Sequence, residues 1–274
     1  VTEYEGKGRG VVAARDIKMG EVIFIDKPVL KLGKIEYSPV FLQSFKKQIK
    51  DLSSEAKLQL DKLAQMSEIY RIEHLKAEGD KELGLLLLVA THSKIVDESV
   101  ILFLNVALIN HSCSPNANSE TIQKDGDPWD EIRAIRDISK GEEVTVCQVS
   151  IVRLTSQERR ARIRQYLFFD CKCCVCTGII PDQEDIMKEL LELRNRFAMI
   201  HAREESSLRA EGVNIADKIV DLTHKLYIGP VKDKVSLLKI LLASANQVHK
   251  KKAEEELKKL AEDTGLRSLQ KFCK

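Results

Sequence analysis

What the chain lacks narrows it first. It has no strong excess of charge of either sign: 44 Lys and Arg stand against 42 Asp and Glu, a formal net charge of +2. Bulk charge therefore gives no reason to expect direct nucleic-acid binding, and a basic-peptide partner would have to be drawn by a local acidic patch. It has no long apolar run. Leu83 to Ala90 falls far short of the roughly 20 residues that span a bilayer, so no membrane association is expected. No hydrophobic leader opens the chain, although it begins at Val1 rather than Met and a signal preceding that point would not be visible. Nor is there a disulfide framework. The seven cysteines are bunched, four of them between 171 and 176, and the adjacent Cys173 and Cys174 resist being bridged together. A reducing interior, nuclear or cytoplasmic, is the expected setting.

What is present reads as mixed α and β. The 274 residues suffice for one domain with an appendage, or for two small ones. Gly10 to Ala14 and Val22 to Ile25, separated by a turn at Lys18-Met19-Gly20, are β-branched runs that predict a hairpin. Arg15-Asp16-Ile17 with Gly20-Glu21 is echoed by Arg136-Asp137-Ile138 with Gly141-Glu142, each followed by a β-branched strand. From Phe41 to about Leu88 the period turns helical, with Leu58, Leu60, Leu63 and Ala64 following the capping-type Ser53 and Ser54. After Pro181 the pattern is helical throughout, with one apolar stripe at Ile186, Leu190, Leu193 and Phe197, others at Ile219, Leu222 and Leu226 and from Leu237 to Leu242, and Gly229-Pro230 as punctuation. Near the end, Lys250 to Lys252 precede Glu254 to Glu256 at i,i+4 spacing. A small helical bundle packed on the preceding domain is expected here, a coiled coil or partner-binding helix being the alternative.

The chemistry concentrates in the cysteines. Cys171, Cys173 and Cys176 form a C-x-C-x-x-C cluster, and Cys113 supplies a remote fourth sulfur, the ligand number and type of a closed tetrahedral zinc site. The bland alternative is free thiols buried as small hydrophobes. Cys147 and Cys174 are left over, and Cys273 is terminal.

Cys113 lies within Asn110-His111-Ser112-Cys113-Ser114-Pro115-Asn116-Ala117, a string that resembles the signature of SET-domain lysine methyltransferases, most closely the branch that includes the SET and MYND proteins. Gly141-Glu142-Glu143-Val144-Thr145-Val146 resembles a second segment of that family, and Gly6-Lys7-Gly8-Arg9-Gly10 its glycine-rich opening. In that branch the cysteine of the string joins the later cluster on one zinc. The resemblance implies an α+β chain: a SET-domain β-fold split into residues 1–40 and 91–168 by a helical insert at 41–90, a post-SET zinc-binding segment at 169–178, and a helical C-terminal region at 179–274. The cysteines of a MYND finger are absent, which makes MYND-less relatives the closer comparison.

The same resemblance implies S-adenosylmethionine as cofactor, contacted by Lys7, Gly8, Arg9, Gly10, Asn110, His111 and Phe169. On residue chemistry alone, Asn110 and His111 read first as a turn after the apolar run Val106 to Ile109, and the glycine-rich opening as a flexible N-terminal loop. Phe168 and Phe169 read as packing against the knuckle. The family carries a tyrosine after its G-E-E segment, beside the transferred methyl. Here that position holds Gln148, which offers an amide but no ring and no phenol. Three readings follow: an altered or slow enzyme, a tyrosine supplied from elsewhere such as Tyr166, or a silent scaffold. The expected function is protein-lysine N-methylation, histone lysine included, with a protein or histone-tail substrate and a possible protein partner on the C-terminal helices. The alternative is a scaffold that binds a protein partner.

Overall fold

The computed structural model describes residues 2–4, 8–33, 38–66, 81–124, 126–151, 154–167, 169–181, 183–203, 209–226, 231–242 and 247–267. Its strands are short and build three small sheets. The first runs in the order β1 (Thr2–Tyr4), β2 (Gly8–Val12), β10 (Glu143–Val146), β7 (Asn110–His111). The second runs β3 (Val22–Asp26), β9 (Asp127–Ala134), β8 (Ala117–Lys124), and the third β4 (Leu30–Leu32), β6 (Ser99–Leu102), β5 (Lys94–Val96). Alternation sets the buried face in β4, where Leu30 and Leu32 point inward and Lys31 outward. The second and third sheets are joined through fully buried Asp130, which takes the Lys94 ammonium at 2.6 Å and the Ser119 hydroxyl at 2.7 Å. Burying a carboxylate is costly unless it is paired and hydrogen-bonded in this way.

The expected hairpin of residues 10–25 does not form. β2 pairs antiparallel with β10, and β3 with β9, so the two β-branched runs lie in different sheets. The two echoed segments instead pair with one another across a pseudo-two-fold. Ile17 and Ile138 exchange both backbone hydrogen bonds at 2.9 Å, Ala13 N donates to Glu142 O, and Ala134 N donates to Glu21 O. The contacts of the carboxylates repeat the relation: Met19 N donates to Asp137 and Lys140 N to Asp16, while Arg15 pairs with Glu21 and Arg136 with Glu142. β-branched residues specify strand, not partner, and the reciprocal contacts supply the partner.

The insert begins at Pro39. Ser38 Oγ caps α1 (Pro39–Asp51) by accepting from Phe41 N, and Ser53 Oγ accepts from Ala56 N at the start of α2 (Ser54–Met66). Phe41 and Phe45 of α1, Leu60, Leu63 and Ala64 of α2, and Leu85, Leu88 and Val89 of α3 (Lys81–His92) close one core over Leu30, Leu32, Val100 and Leu102. Leu58 departs from the expected stripe and faces solvent at 55% exposure.

Beyond α4 (Ser156–Leu167), the C-terminal region is helical as expected: α5 (Glu184–Arg203), α6 (Arg209–Lys225), α7 (Val231–Leu242) and α8 (Gln247–Thr264). Its core of Leu190, Phe197, Ile219, Leu238 and Leu257 is continuous with Cys113, Cys173 and Ile163, so the bundle rests on the cysteine cluster. Lys251 pairs with Glu255 as the spacing predicts, whereas Lys252 reaches across to Asp217 on α6. The last turn docks on the second sheet: Arg267 Nε donates to Glu131 at 3.0 Å, its backbone N to Glu120, and its guanidinium covers the Trp129 ring at 5.9 Å. Among the described residues, no helix is long and apolar enough to cross a membrane. Gly229-Pro230 and Cys273 lie outside the described residues.

At that docking contact Gly20 has φ +83°, and a Cβ there would stand 3.2 Å from Asp263 O. Gly20→Ala should therefore cost about 1–3 kcal/mol in strain and close approach. A melting temperature lowered by several degrees is the expected result; an unchanged one would mean that the contact is loose.

Candidate zinc and cofactor site

The site is built on the path from β6 to β8. Asp26, buried at the end of β3, accepts from Asn105 N at 2.8 Å, Val106 N at 3.0 Å and Asn105 Nδ2 at 2.9 Å. It thereby caps the 3-10 turn Val106–Leu108, whose first amides have no partner of their own. The turn delivers β7 alongside β10 in parallel register, Asn110 opposite Thr145 and His111 opposite Val146. Ser112 N continues the pairing to Val146 O, and the Ser112 hydroxyl both accepts from Ser114 N and donates to Ser114 O, which tightens the bend carrying Cys113.

Asn116, only 1% exposed, bolts the two signature strings together. Its Nδ2 donates to Glu142 Oε1 at 3.0 Å and Glu143 O at 2.7 Å, while its Oδ1 accepts from Thr145 N at 2.8 Å. Asn110 Nδ2 donates to Glu143 Oε1 at 2.7 Å. Sequence reasoning assigned no role to Asn116 or Glu143. The signal was the Asn near the end of the first string and the paired Glu after the glycine of the second, two polar types that share a buried bond well.

The sulfurs of Cys113, Cys171, Cys173 and Cys176 all lie within 4.8 Å of one another, with Cys113 and Cys176 3.6 Å apart. Four sulfurs each about 2.3 Å from a common ion stand about 3.8 Å from one another, so the set fits tetrahedral zinc. Hydrogen bonds to Cys171, Cys173 and Cys176, with burial added, push the Cys113 thiol up, while those from Cys113, Cys171 and Cys176 pull Cys173 down. The four compete for negative charge, and a divalent cation among them would let every one ionise. Backbone bonds fold the knuckle around them: Thr177 N to Cys173 O, Gly178 N to Val175 O and Ile180 N to Cys174 O. α4 holds it from outside, Arg160 donating to Cys176 O at 2.9 Å and Arg164 Nε to Asp170 at 2.9 Å. Cys174 and Cys147 stand outside the cluster.

The residues expected to contact cofactor are brought to neighbouring strands. β2, with Gly8, Arg9 and buried Gly10, flanks β10 on one side, and β7, with Asn110 and His111, flanks it on the other. Lys7 lies outside the described residues, as does Phe168. Phe169, 38% exposed, meets the His111 ring edge-on with centroids 6.2 Å apart. Burial, opposed by the nearby Cys173 and aided by the Arg159 guanidinium, pushes the His111 imidazolium down to about 4, so the ring is neutral. Gln148 N donates to His111 Nδ1 at 3.2 Å and Gln148 Nε2 to Ile109 O at 3.0 Å. Tyr166 sits on an exposed part of α4, at 57% exposure.

The SET-domain family model matches residues 8–147. The chain belongs to the SET-domain family. Within it, the chain is 34% identical over 117 residues to the human histone-lysine N-methyltransferase SMYD3, a stretch covering 40% of this chain and 26% of that protein. It is 38% identical over 85 residues to the human N-lysine methyltransferase SMYD2, covering 31% of this chain and 18% of that one. These relatives place the SET domain in the SMYD-like branch, of whose length the chain spans about a quarter or less. Among solved structures, ctPRC2 in an autoinhibited, S-adenosylmethionine-bound conformation aligns with 99% of this chain and 31% of its own, at 13% identity and a TM-score of 0.32, too slight a likeness to carry an argument. The SET-domain match ends at Cys147, one residue before Gln148.

Proposed function

We propose that this SET domain transfers a methyl group from S-adenosylmethionine to the side-chain amine of lysine in a protein substrate. The observation that carries the reading is the convergence of β2 and β7 on either side of β10, with Asn110 and His111 held beside the four-sulfur cluster. When bound, S-adenosylmethionine supplies an electrophilic methyl on a sulfonium. Cys113, Cys171, Cys173 and Cys176 would hold a zinc ion, which would fix the knuckle that carries Phe169.

The chain's own residues align partners and exclude water, which supplies much of the advantage in such a displacement. A neutral His111 places no positive charge beside the sulfonium. Phe169 offers a ring face to an adenine. Gln148, whose amide nitrogen is committed to Ile109 O, presents Oε1 as the acceptor for an N–H of an incoming neutral amine. Histone tails are one substrate of this chemistry, with a nuclear or cytoplasmic setting and the helical C-terminal region as a surface for a protein partner. A silent scaffold is the second reading, favoured by Gln148 where the family carries tyrosine.

Isothermal titration with S-adenosylmethionine followed by a peptide-array methylation assay separates the two. Binding with turnover is expected, and binding without turnover on any peptide would leave the scaffold. Asn110→Ala should weaken cofactor affinity about tenfold, because its amide is lost and the Glu143 carboxylate loses the bond it makes to that amide. Unchanged affinity in the titration would make Asn110 a turn residue and nothing more.

A further inference from the structure

Both ring nitrogens of His111 are engaged within the protein. A backbone amide can only donate, so the 3.2 Å bond from Gln148 N makes Nδ1 an acceptor. A neutral imidazole with an unprotonated Nδ1 carries its hydrogen on Nε2. That Nε2 lies 3.6 Å from Cys113 Sγ, within reach of an N–H···S hydrogen bond. Cys113 is fully buried and is one of the four clustered sulfurs, and the ring itself is only 7% exposed. A metal-bound thiolate accepts such a bond much better than a thiol does, and outer hydrogen bonds of this kind orient ligands and tune the metal. Cys113 is also the one sulfur of the four that comes from the strand side of the site; the other three lie together in the knuckle.

We propose that His111 is a positioning residue that ties the metal-bearing sulfur of Cys113 to Gln148, two residues beyond β10, so that metal occupancy sets the geometry of the methyl-transfer end of the pocket. The path is short and closed. Gln148 N–H donates to Nδ1, Nε2–H donates to Sγ, and Gln148 Nε2 returns to Ile109 O, two residues before His111. The ring of His111 is thereby a bridge between strand and metal. The proposal rests on reading the four cysteines as one zinc site and Gln148 as the transfer point, yet neither of its tests needs methyl transfer. A failed activity assay would leave it standing.

The direct test is ¹⁵N NMR of the histidine rings in the zinc-loaded chain, assigned through His111→Phe. His111 should show a protonated Nε2 and an unprotonated Nδ1; the opposite tautomer overturns the proposal. The second test uses two amides that each keep half of the bridge. His111→Asn retains an acceptor near the place of Nδ1 but no donor to sulfur, and zinc release to a chelator should rise about 10- to 100-fold. His111→Gln restores a donor near the place of Nε2, and should recover most of the retention while the Gln148 amide resonance shifts for want of its acceptor. If His111→Asn holds zinc as tightly as the parent, the bridge to the metal is refuted. If neither variant folds, the tautomer of the parent decides alone.

Discussion

Cys113→Ser should bring zinc content well below one ion per chain and lower the melting temperature by about 10 °C or more. The other three ligands lie within one short knuckle and could still gather an ion weakly, but without Cys113 nothing of the metal site remains on the strand side. Metal binding at such a site is folding free energy, and the C-terminal bundle shares its core with these sulfurs, so the loss spreads to α5, α6, α7 and α8. Cys174→Ser is the control: its sulfur stands outside the cluster, and zinc content should remain near one ion per chain. X-ray absorption at the zinc edge of the parent should return four sulfurs at about 2.3 Å and no nitrogen. Freshly purified protein with no zinc by elemental analysis would remove the metal from the account.

Gln148→Tyr should raise methyl transfer by tenfold or more. The wild-type amide offers one oxygen to the incoming amine, whereas a phenol adds a hydroxyl, and its ring adds a wall that tolerates a cation. The backbone bond from residue 148 to His111 does not depend on the side chain and should survive, while the bond to Ile109 O would be lost. The wild type should accordingly be slow. A wild type that methylates briskly, with Gln148→Tyr no better, would show that another residue completes the pocket, Tyr166 on α4 being the candidate.

The parts of the site that were legible in the sequence are those whose chemistry is narrow. Three cysteines in six residues have few uses in a reducing setting, and the fourth was marked by the string around it; the structure brings all four together. The C-terminal helices were legible because their apolar stripes keep one period over many turns, as Leu190 and Phe197 of α5 confirm by being buried. Strand partners were not legible. Val22 to Ile25 read as the return arm of a hairpin, because β-branched runs on either side of a Gly turn favour that local answer. What overrode it was a distant copy of the same turn, bonded through Ile17 and Ile138. The roles of Asn116 and Asp26 were hidden for a related reason. Each is a common turn-forming residue whose work is a buried bond to chain far away in sequence, Glu142 and Thr145 for one and Asn105 for the other. His111 was assigned by resemblance to the cofactor, and only the positions of Gln148 N and Cys113 Sγ reveal what its two nitrogens face.

The most direct test of the central claim is transfer of labelled methyl from S-adenosylmethionine by the zinc-loaded chain to lysine peptides, with matched arginine peptides as control. The account predicts slow accumulation of label on lysine peptides alone, accelerated by Gln148→Tyr. Tight cofactor binding with no label on any lysine peptide, from either form, would contradict it.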